Sequence, residues 1–420
     1  MLYGIALMGY GIVGSGVVEA LWTNADHIYS RTGRKPEIKK IFDVFDFAGS
    51  PVESLITHDI NDIMENDDIE LIVETIGGID HAYRLTKMAF ERKKHVVTSN
   101  KELVAAHGPE LLKIADENNV KYLFEASVGG GIPVIRPLER CLIANEIVEI
   151  IGILNGTTNY MLTYMQNFGA DFGDTLKRAQ ERGYAEKDPS ADIEGHDAGR
   201  KIAILSSIAF GAFADYRDVY TEGITSITLE DIKRAGEIGC VIKLIARARR
   251  VDGEYLIAVY PMMIDKQFLL SSVGEVYNGI LIRGNIVGDV MLYGRGAGKL
   301  PTASAVIADI IDIMRNNTSN TNYSSKWGEK LKIADIDNYY NRYYVRLEAN
   351  DGEIAVDEAL REFPDAIILP DDAESVADTK QVIFTTGVLR EREFKLGLQR
   401  VENSSSGVKV RNYIRIYTEN

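Results

Sequence analysis

Over the first third of the chain, short apolar runs alternate with stretches whose apolar residues recur at helical spacing. Leu2 to Met8 is a short apolar run, and Val17, Val18 and Leu21 follow it on one helical stripe. Ile38 to Val44 reads as a second strand and Ile69 to Glu74 as a third, both predicted to be buried. A helix from about Ile79 to Arg92, a strand at His95 to Thr98, a helix at Glu102 to Asn118 and a strand at Lys121 to Ala126 continue the series. Strands alternating with helices predict an α/β unit around a parallel sheet. After Cys141 the pattern changes. Ile147 to Leu154 is strand-like and ends in a polar turn, Asn155 to Tyr160, ahead of a helix. A helix begins near His196, and Thr225 to Lys233 is followed by a helix near Ala235 to Arg249. Glu254 to Ile264 and Asn278 to Leu292 each read as a strand, which predicts an α+β second domain. A helix from Thr302 to Met314 and a polar linker, Asn316 to Ser325, lead into strand, helix, strand, helix, strand. Such a unit of about 80 residues suits a small regulatory or interaction domain. The expected division is an α/β domain at 1–134 joined by a returning segment at 296–318, an α+β domain at 135–295, and a C-terminal domain at 338–420.

Composition narrows the class. A chain of 420 residues exceeds a single core of ordinary size. Hydrophobic content of 45% and charged content of 26% are those of a globular protein. The net charge of -15, with no basic run, argues against nucleic acid as a partner. No stretch approaches the ~20 uninterrupted apolar residues of a membrane helix. The N-terminus, MLYGIALMGYG, lacks a basic start and reads as a structural strand. The two cysteines, Cys141 and Cys240, show no metal spacing, and a reducing cytoplasm is the expected setting.

Two stretches carry the candidate chemistry. In the first, Gly9-Tyr10-Gly11-Ile12-Val13-Gly14 stands between the first strand and its helix, the context that gives GxGxxG meaning. Gly9 allows the tight turn, Gly11 lets backbone approach a pyrophosphate, and Gly14 brings helix and strand together. The helix start at Ile12 and Val13 offers free N–H groups to phosphate. The acidic residue for the adenine ribose is Asp43 or Asp46, and the absence of an Arg there leans the reading toward NAD over NADP. Thr75, Ser99 and Lys101 stand at the carboxyl ends of strands, where such sheets bind ligands. The second stretch is Gly183 to Lys201, GYAEKDPSADIEGHDAGRK. On its helix Asp197, Lys201, Ile204, Leu205 and Ile208 share one stripe, so a carboxylate and an ammonium lead into the core. Taken locally, a solvated acidic loop followed by an ordinary i,i+4 ion pair accounts for this as well as a site does. A lysine on a buried face is costly unless paired and used, and the nucleotide signature favours a site. The later Gly294 to Leu300 loop fails the spacing of a phosphate loop, and is expected to approach a ligand through its backbone.

Together these blocks resemble homoserine dehydrogenase, over the whole chain and in order. The resemblance rests on GYGIVG, TSNKELVA at 98–105, FEASVGGGIP at 124–133, NGTTNYM at 155–161, the Gly183 to Lys201 stretch and GAGKLPTASAV at 296–306. It implies NAD(P)-dependent interconversion of L-aspartate 4-semialdehyde and L-homoserine, a small-molecule substrate, and a homodimer or homotetramer. By the resemblance Lys201 is the proton donor, Asp197 holds it, and Lys101 is a second ammonium at the reacting end. Glu186 accepts the substrate amino group, and Asp192, Tyr184, Gly156 and Thr157 complete the grip. Gly9, Gly11, Ile12, Val13, Gly14, Asp43, Thr75, Ser99, Lys101 and Gly296 are the implied cofactor contacts. The carbonyls of Glu125, Val128, Gly130 and Ile132 resemble the family's monovalent-cation site, for sodium or potassium. The C-terminal unit resembles an ACT domain, although Asn350-Asp351-Gly352-Glu353 lacks the Pro-Gly turn, and Arg295 and Lys299 replace smaller residues in the late glycine loop. Nothing supports a fused aspartate kinase.

Two rival readings follow from the same residues. Aspartate-semialdehyde dehydrogenase shares the substrate and the general architecture but needs a thiolate nucleophile near a histidine, and neither cysteine has one nearby in sequence. A non-enzymatic nucleotide-sensing protein is also hosted by such folds, but would not require both Lys101 and Lys201, and both are present.

Overall fold

The computed structural model describes residues 2–315, 327–370, 380–404 and 407–418. The linker expected at Asn316 to Ser325 lies outside the described residues. The chain forms two compact units, Met1–Gly156 with Asp197–Val219 and Val276–Lys332, and Thr157–His196 with Tyr220–Glu275 and Ile333–Asn420.

In the first unit six strands, β1 (Leu2–Met8), β2 (Lys35–Phe42), β3 (Ile56–Thr57), β4 (Leu71–Glu74), β5 (His95–Thr98) and β6 (Tyr122–Leu123), form a sheet. Its order is β3-β2-β1-β4-β5-β6, and every pair is parallel. This is the doubly wound dinucleotide-binding arrangement, with order reversing beside β1. All four residues of β4 are buried, as a strand covered on both faces requires. Helix Ile12–Thr23 packs Val17, Val18 and Leu21 into the same core as Ala303, Val306 and Ile310 of helix Lys299–Met314. The returning helix thus closes one face of the sheet. Strands Ile147–Ile153, Tyr277–Gly284 and Gly288–Arg295 make a separate antiparallel set with Tyr277–Gly284 in the middle. Helix His196–Phe210, from Asp197 onward, also belongs to this unit.

The second unit holds helices Gly156–Phe168 (from Thr157 onward) and Phe172–Glu181, and the long antiparallel pair Cys240–Val251 and Glu254–Asp265. Its C-terminal part runs strand, helix, strand, strand, helix, strand: Tyr340–Ala349, Gly352–Glu362, Ile367–Leu369, Lys380–Thr385, Glu391–Glu402 and Lys409–Ile416. The strands pair in the order fourth, first, third, second, a ferredoxin-like sheet. The fourth strand also pairs in parallel with Glu254–Asp265, placing Met262 opposite Arg415. Arg415, fully buried, pairs with buried Glu391 and lies 2.7 Å from Glu222. Arg346 lies 2.9 Å from buried Asp231.

Four expectations need correction. The helix expected at Ala235 to Arg249 is instead helix Leu229–Glu237 followed by strand Cys240–Val251. Val241, Ile242, Leu244, Ile245, Ala246 and Ala248 are all buried, and burial on both faces removes the alternation that marks a strand. The strand expected over Asn278 to Leu292 is a hairpin of two strands, Tyr277–Gly284 and Gly288–Arg295. The polar segment Asn155 to Tyr160 is no turn ahead of a helix but mostly its first turn, because the helix begins at Gly156. The strand expected from Lys121 to Ala126 stops at Leu123 and passes into a 3-10 turn, Glu125–Ser127. The short strand Ile367–Leu369 gave no sequence signal beyond three apolar residues.

Candidate active site

Three segments of the first unit converge on one carboxylate. Asn100 ends the turn after β5 and caps helix Lys101–Glu117, accepting from Leu103 N at 3.0 Å and donating to the Gly78 carbonyl at 2.6 Å. That cap fixes Lys101 as the first residue of the helix. Asp197 and Lys201 stand one turn apart on helix His196–Phe210. Strand Ile147–Ile153 delivers Leu154 and Asn155.

Asp197 is 3% exposed and lies between two ammonium groups. Lys101 Nζ is 2.7 Å from its Oδ1, and Lys201 Nζ donates to its Oδ2 at 2.6 Å. Asn155 Nδ2 donates to the same Oδ2 at 2.9 Å, and Lys201 donates again to the Leu154 carbonyl at 2.9 Å. Burial would raise the Asp197 carboxyl, but Lys201 and Lys101 outweigh it and hold the group well below the usual carboxylate range. The cluster carries two positive charges and one negative. Such a cluster orients a proton-bearing nitrogen and favours developing negative charge on an oxygen beside it. The sequence stripe found Asp197 and Lys201. Asn155 and the Leu154 carbonyl were missed as site groups, although the Asn-Gly at the strand end was the available signal.

At the glycine turn the three glycines meet different surroundings. Gly9 adopts φ 97°, and a Cβ there would stand 2.8 Å from the Thr75 carbonyl oxygen. A Cβ on Gly14 would collide with the Gly9 carbonyl, whereas one on Gly11 meets nothing within 4 Å. Gly11 therefore faces open space where backbone can approach a ligand. A cavity beside it is lined by Gly9, Tyr10, Gly11, Asp43, Phe45 and Thr75. Asp43 accepts from Tyr10 N at 2.6 Å and so braces the turn. Asp46 instead faces His58, at 2.7 Å, and does not line the cavity. Thr75 donates to the Gly9 carbonyl at 2.9 Å, while Lys101 turns to Asp197 and, with Ser99, is not among the cavity residues. His81 and Phe45 line it without having been singled out in the sequence, because no spacing rule marks them.

The late glycine loop approaches the chain itself. Gly296 lies against the Asn278 side chain, and its carbonyl against Gly130. Arg295 sits over the Tyr277 ring at 5.4 Å, and Lys299 pairs with Glu19 at 2.6 Å. Both unexpected side chains thus have partners within the unit. Glu125, Val128 and Ile132 are each no more than 2% exposed, and Gly129 and Gly130 turn the backbone at positive φ. The Glu125 side chain accepts from Val134, Ile135 and Arg136 N–H groups, which pins this loop.

In the second unit, Thr157 donates to the Tyr184 carbonyl at 2.6 Å, and the Tyr160 ring meets Tyr184 edge-on at 4.9 Å. Glu186 is exposed two residues on, and its carbonyl accepts from Gln180 at 3.1 Å. Asp192, half-buried, lies in the short helix Ser190–Ile193 after Pro189, and its backbone carbonyl accepts from Gly195 N at 3.0 Å. Cys240 is buried, which pushes its thiol up, and Cys141 is exposed; neither belongs to the Lys101–Asp197–Lys201 cluster. Among the described residues no three His, Cys, Asp or Glu side chains form a metal cage, and no helix is long and apolar enough to cross a membrane.

Comparison with known proteins gives consistent results. A family model described as homoserine dehydrogenase matches residues 133–311, and one described as homoserine dehydrogenase, NAD binding domain, matches residues 9–125. Homoserine dehydrogenase of Synechocystis sp. is 38% identical over 98% of this chain and 99% of its own. A solved homoserine dehydrogenase from Thiobacillus denitrificans superposes with a TM-score of 0.90 at 36% identity, covering 99% of this chain and 98% of that one. A hyperthermophilic archaeal homoserine dehydrogenase in complex with NADPH gives 0.64 at 27% identity, over 76% of this chain and 99% of that one.

Proposed function

The chain belongs to the homoserine dehydrogenase family, and on that basis we propose how its own residues divide the work. It is an NAD(P)-dependent oxidoreductase that interconverts L-aspartate 4-semialdehyde and L-homoserine. Bound NAD(P)H supplies the hydride. The substrate oxygen must gain a proton as the aldehyde carbon is reduced, and lose it in reverse. Lys201 gives and takes that proton, Lys101 stabilises negative charge on the same oxygen, and Asp197 aims both. The observation that carries this assignment is a buried carboxylate held by two ammonium groups at 2.6 and 2.7 Å. Glu186 accepts the substrate amino group, with Asp192, Tyr184, Gly156 and Thr157 completing the grip.

The glycine turn fits a dinucleotide, since the place where a Cβ on Gly11 would sit is empty and the neighbouring cavity is partly apolar. Gly9, Gly11, Ile12, Val13 and Gly14 hold the pyrophosphate, Asp43 the ribose, and Thr75, Ser99, Lys101 and Gly296 the nicotinamide side. A carboxylate at Asp43 repels a 2′-phosphate, so NAD is the preferred form. The buried Glu125, Val128, Gly130 and Ile132 carbonyls are hard oxygen donors suited to sodium or potassium in a structural role. The dinucleotide domain spans 1–134 with 296–318, the substrate and dimerisation domain 135–295, and the ACT-like domain 338–420. The enzyme works in the cytoplasm as a homodimer or homotetramer.

The direct test is oxidation of L-homoserine at alkaline pH with NAD and NADP side by side. Faster turnover with NAD is expected, and a clear NADP preference would remove Asp43 from the discriminating role. Glu186→Gln is expected to raise the Michaelis constant for homoserine more than it lowers kcat. An unchanged constant would remove Glu186 from the amino-group role.

A further inference from the structure

Strand Cys240–Val251 is buried over its first nine residues, yet a lysine stands among them. Lys243 is 3% exposed. Burial alone pulls its ammonium down to about 8, because no carboxylate offsets the lost hydration. Its Nζ donates to Asn159 Oδ1 at 3.0 Å and to the Val273 carbonyl at 2.7 Å. Both acceptors are neutral. An apolar side chain of the same length would fill the space at lower cost, since a buried charge is weak evidence for stability. What such a side chain cannot do is hold Asn159.

Asn159 is 1% exposed and lies in the first turn of helix Gly156–Phe168. On the same turn Thr157 grips the Tyr184 carbonyl and Tyr160 packs edge-on against the Tyr184 ring. Tyr184 in turn stands two residues before Glu186. The contacts run in one unbroken series within the second unit: Lys243 to Asn159, Asn159 through its turn to Thr157 and Tyr160, and those two to Tyr184. We propose that Lys243 is a positioning residue for homoserine, fixing the first turn of helix Gly156–Phe168 and through it the Tyr184–Glu186 segment. The inference rests on the reading that this segment grips the substrate.

The experiment compares Lys243→Met, Asn159→Ala and the double variant with the unaltered enzyme in steady-state homoserine oxidation. Nucleotide affinity and melting temperature are measured on each. Each single variant is expected to raise the Michaelis constant for homoserine about tenfold, the scale of one lost charge-assisted hydrogen bond. Turnover at saturation and NAD affinity stay within about twofold. The double variant is expected to be no worse than either single one, since both break the same link. Asn159→Ala carries the same expectation if Lys243→Met does not fold. A lower melting temperature with an unchanged Michaelis constant would overturn the proposal, as would effects that add in the double variant. If Glu186→Gln raises the constant and Lys243→Met does not, this proposal alone fails. If Glu186→Gln has no effect, the reading beneath it fails first.

Discussion

Asp197 stays ionised in the interior because it is surrounded. A carboxylate 3% exposed is tolerated because Lys101 and Lys201 each bring a positive charge to one of its oxygens. Lys201→Ala is expected to lower kcat by roughly 10²- to 10⁴-fold, the range for a positioned acid–base group. Cofactor binding should be nearly intact by equilibrium titration, and lost NAD binding would mean the helix serves the nucleotide domain instead. Asp197→Asn should lower both activity and stability at neutral pH. The sign of its pH dependence follows from the depressed carboxyl. The ionised form stabilises the fold above the unfolded carboxylate value of about 4, and that contribution is lost as pH falls below it. Denaturant midpoints of the unaltered protein and Asp197→Asn should therefore differ most near neutrality and converge as pH falls below about 4. A gap that stayed constant to pH 2 would show that the pairing adds no net stability.

At the scale of the element, the glycine turn separates binding from folding. A Cβ on Gly11 meets nothing, so Gly11→Ala should fold with an unchanged melting temperature while NAD affinity falls about tenfold or more. A Cβ on Gly14 runs into the Gly9 carbonyl, so Gly14→Ala should lower the melting temperature as well. Calorimetry and fluorescence titration of the two variants check this, and equal melting temperatures would contradict the packing described here. The turn was readable in sequence because strand, glycines and helix lie within two dozen residues. Strand Cys240–Val251 was not. Its pattern IKLIARARR puts apolar residues on both faces, and nothing local tells a doubly covered strand from a helix. The same ambiguity hid Lys243, which looks like one cation of a basic helix until the strand places it inside.

Across the whole molecule, buried charge ties the C-terminal sheet into its unit. Arg415, 0% exposed, holds Glu391 and Glu222, whereas Arg411, 45% exposed at its side chain, pairs with Glu348 at the surface. Arg415→Ala leaves Glu391 buried without its partner, at a cost of roughly 3–5 kcal/mol. The melting transition should drop by roughly 10 °C, while Arg411→Ala should move it little. Similar small shifts in both would mean that the buried network is dispensable. Local pattern here predicts strand, helix, strand, helix, strand and suggests a small domain of its own. The parallel pairing of Lys409–Ile416 with Glu254–Asp265 joins residues more than 150 positions apart, which no local pattern reports.

The sequence by itself determined the parallel α/β unit, the glycine turn, the family and the pairing of Asp197 with Lys201, because each is written within a few turns of chain. Only the tertiary structure decided that Lys101 reaches the same carboxylate, that Asn155 and the Leu154 carbonyl complete its shell, and that Asp43 rather than Asp46 borders the cavity at the glycine turn. Those contacts join residues 42 to 96 positions apart, or depend on the register of one strand end. The energy that selects them is burial and charge pairing between segments, and a one-dimensional pattern carries no record of which segments meet.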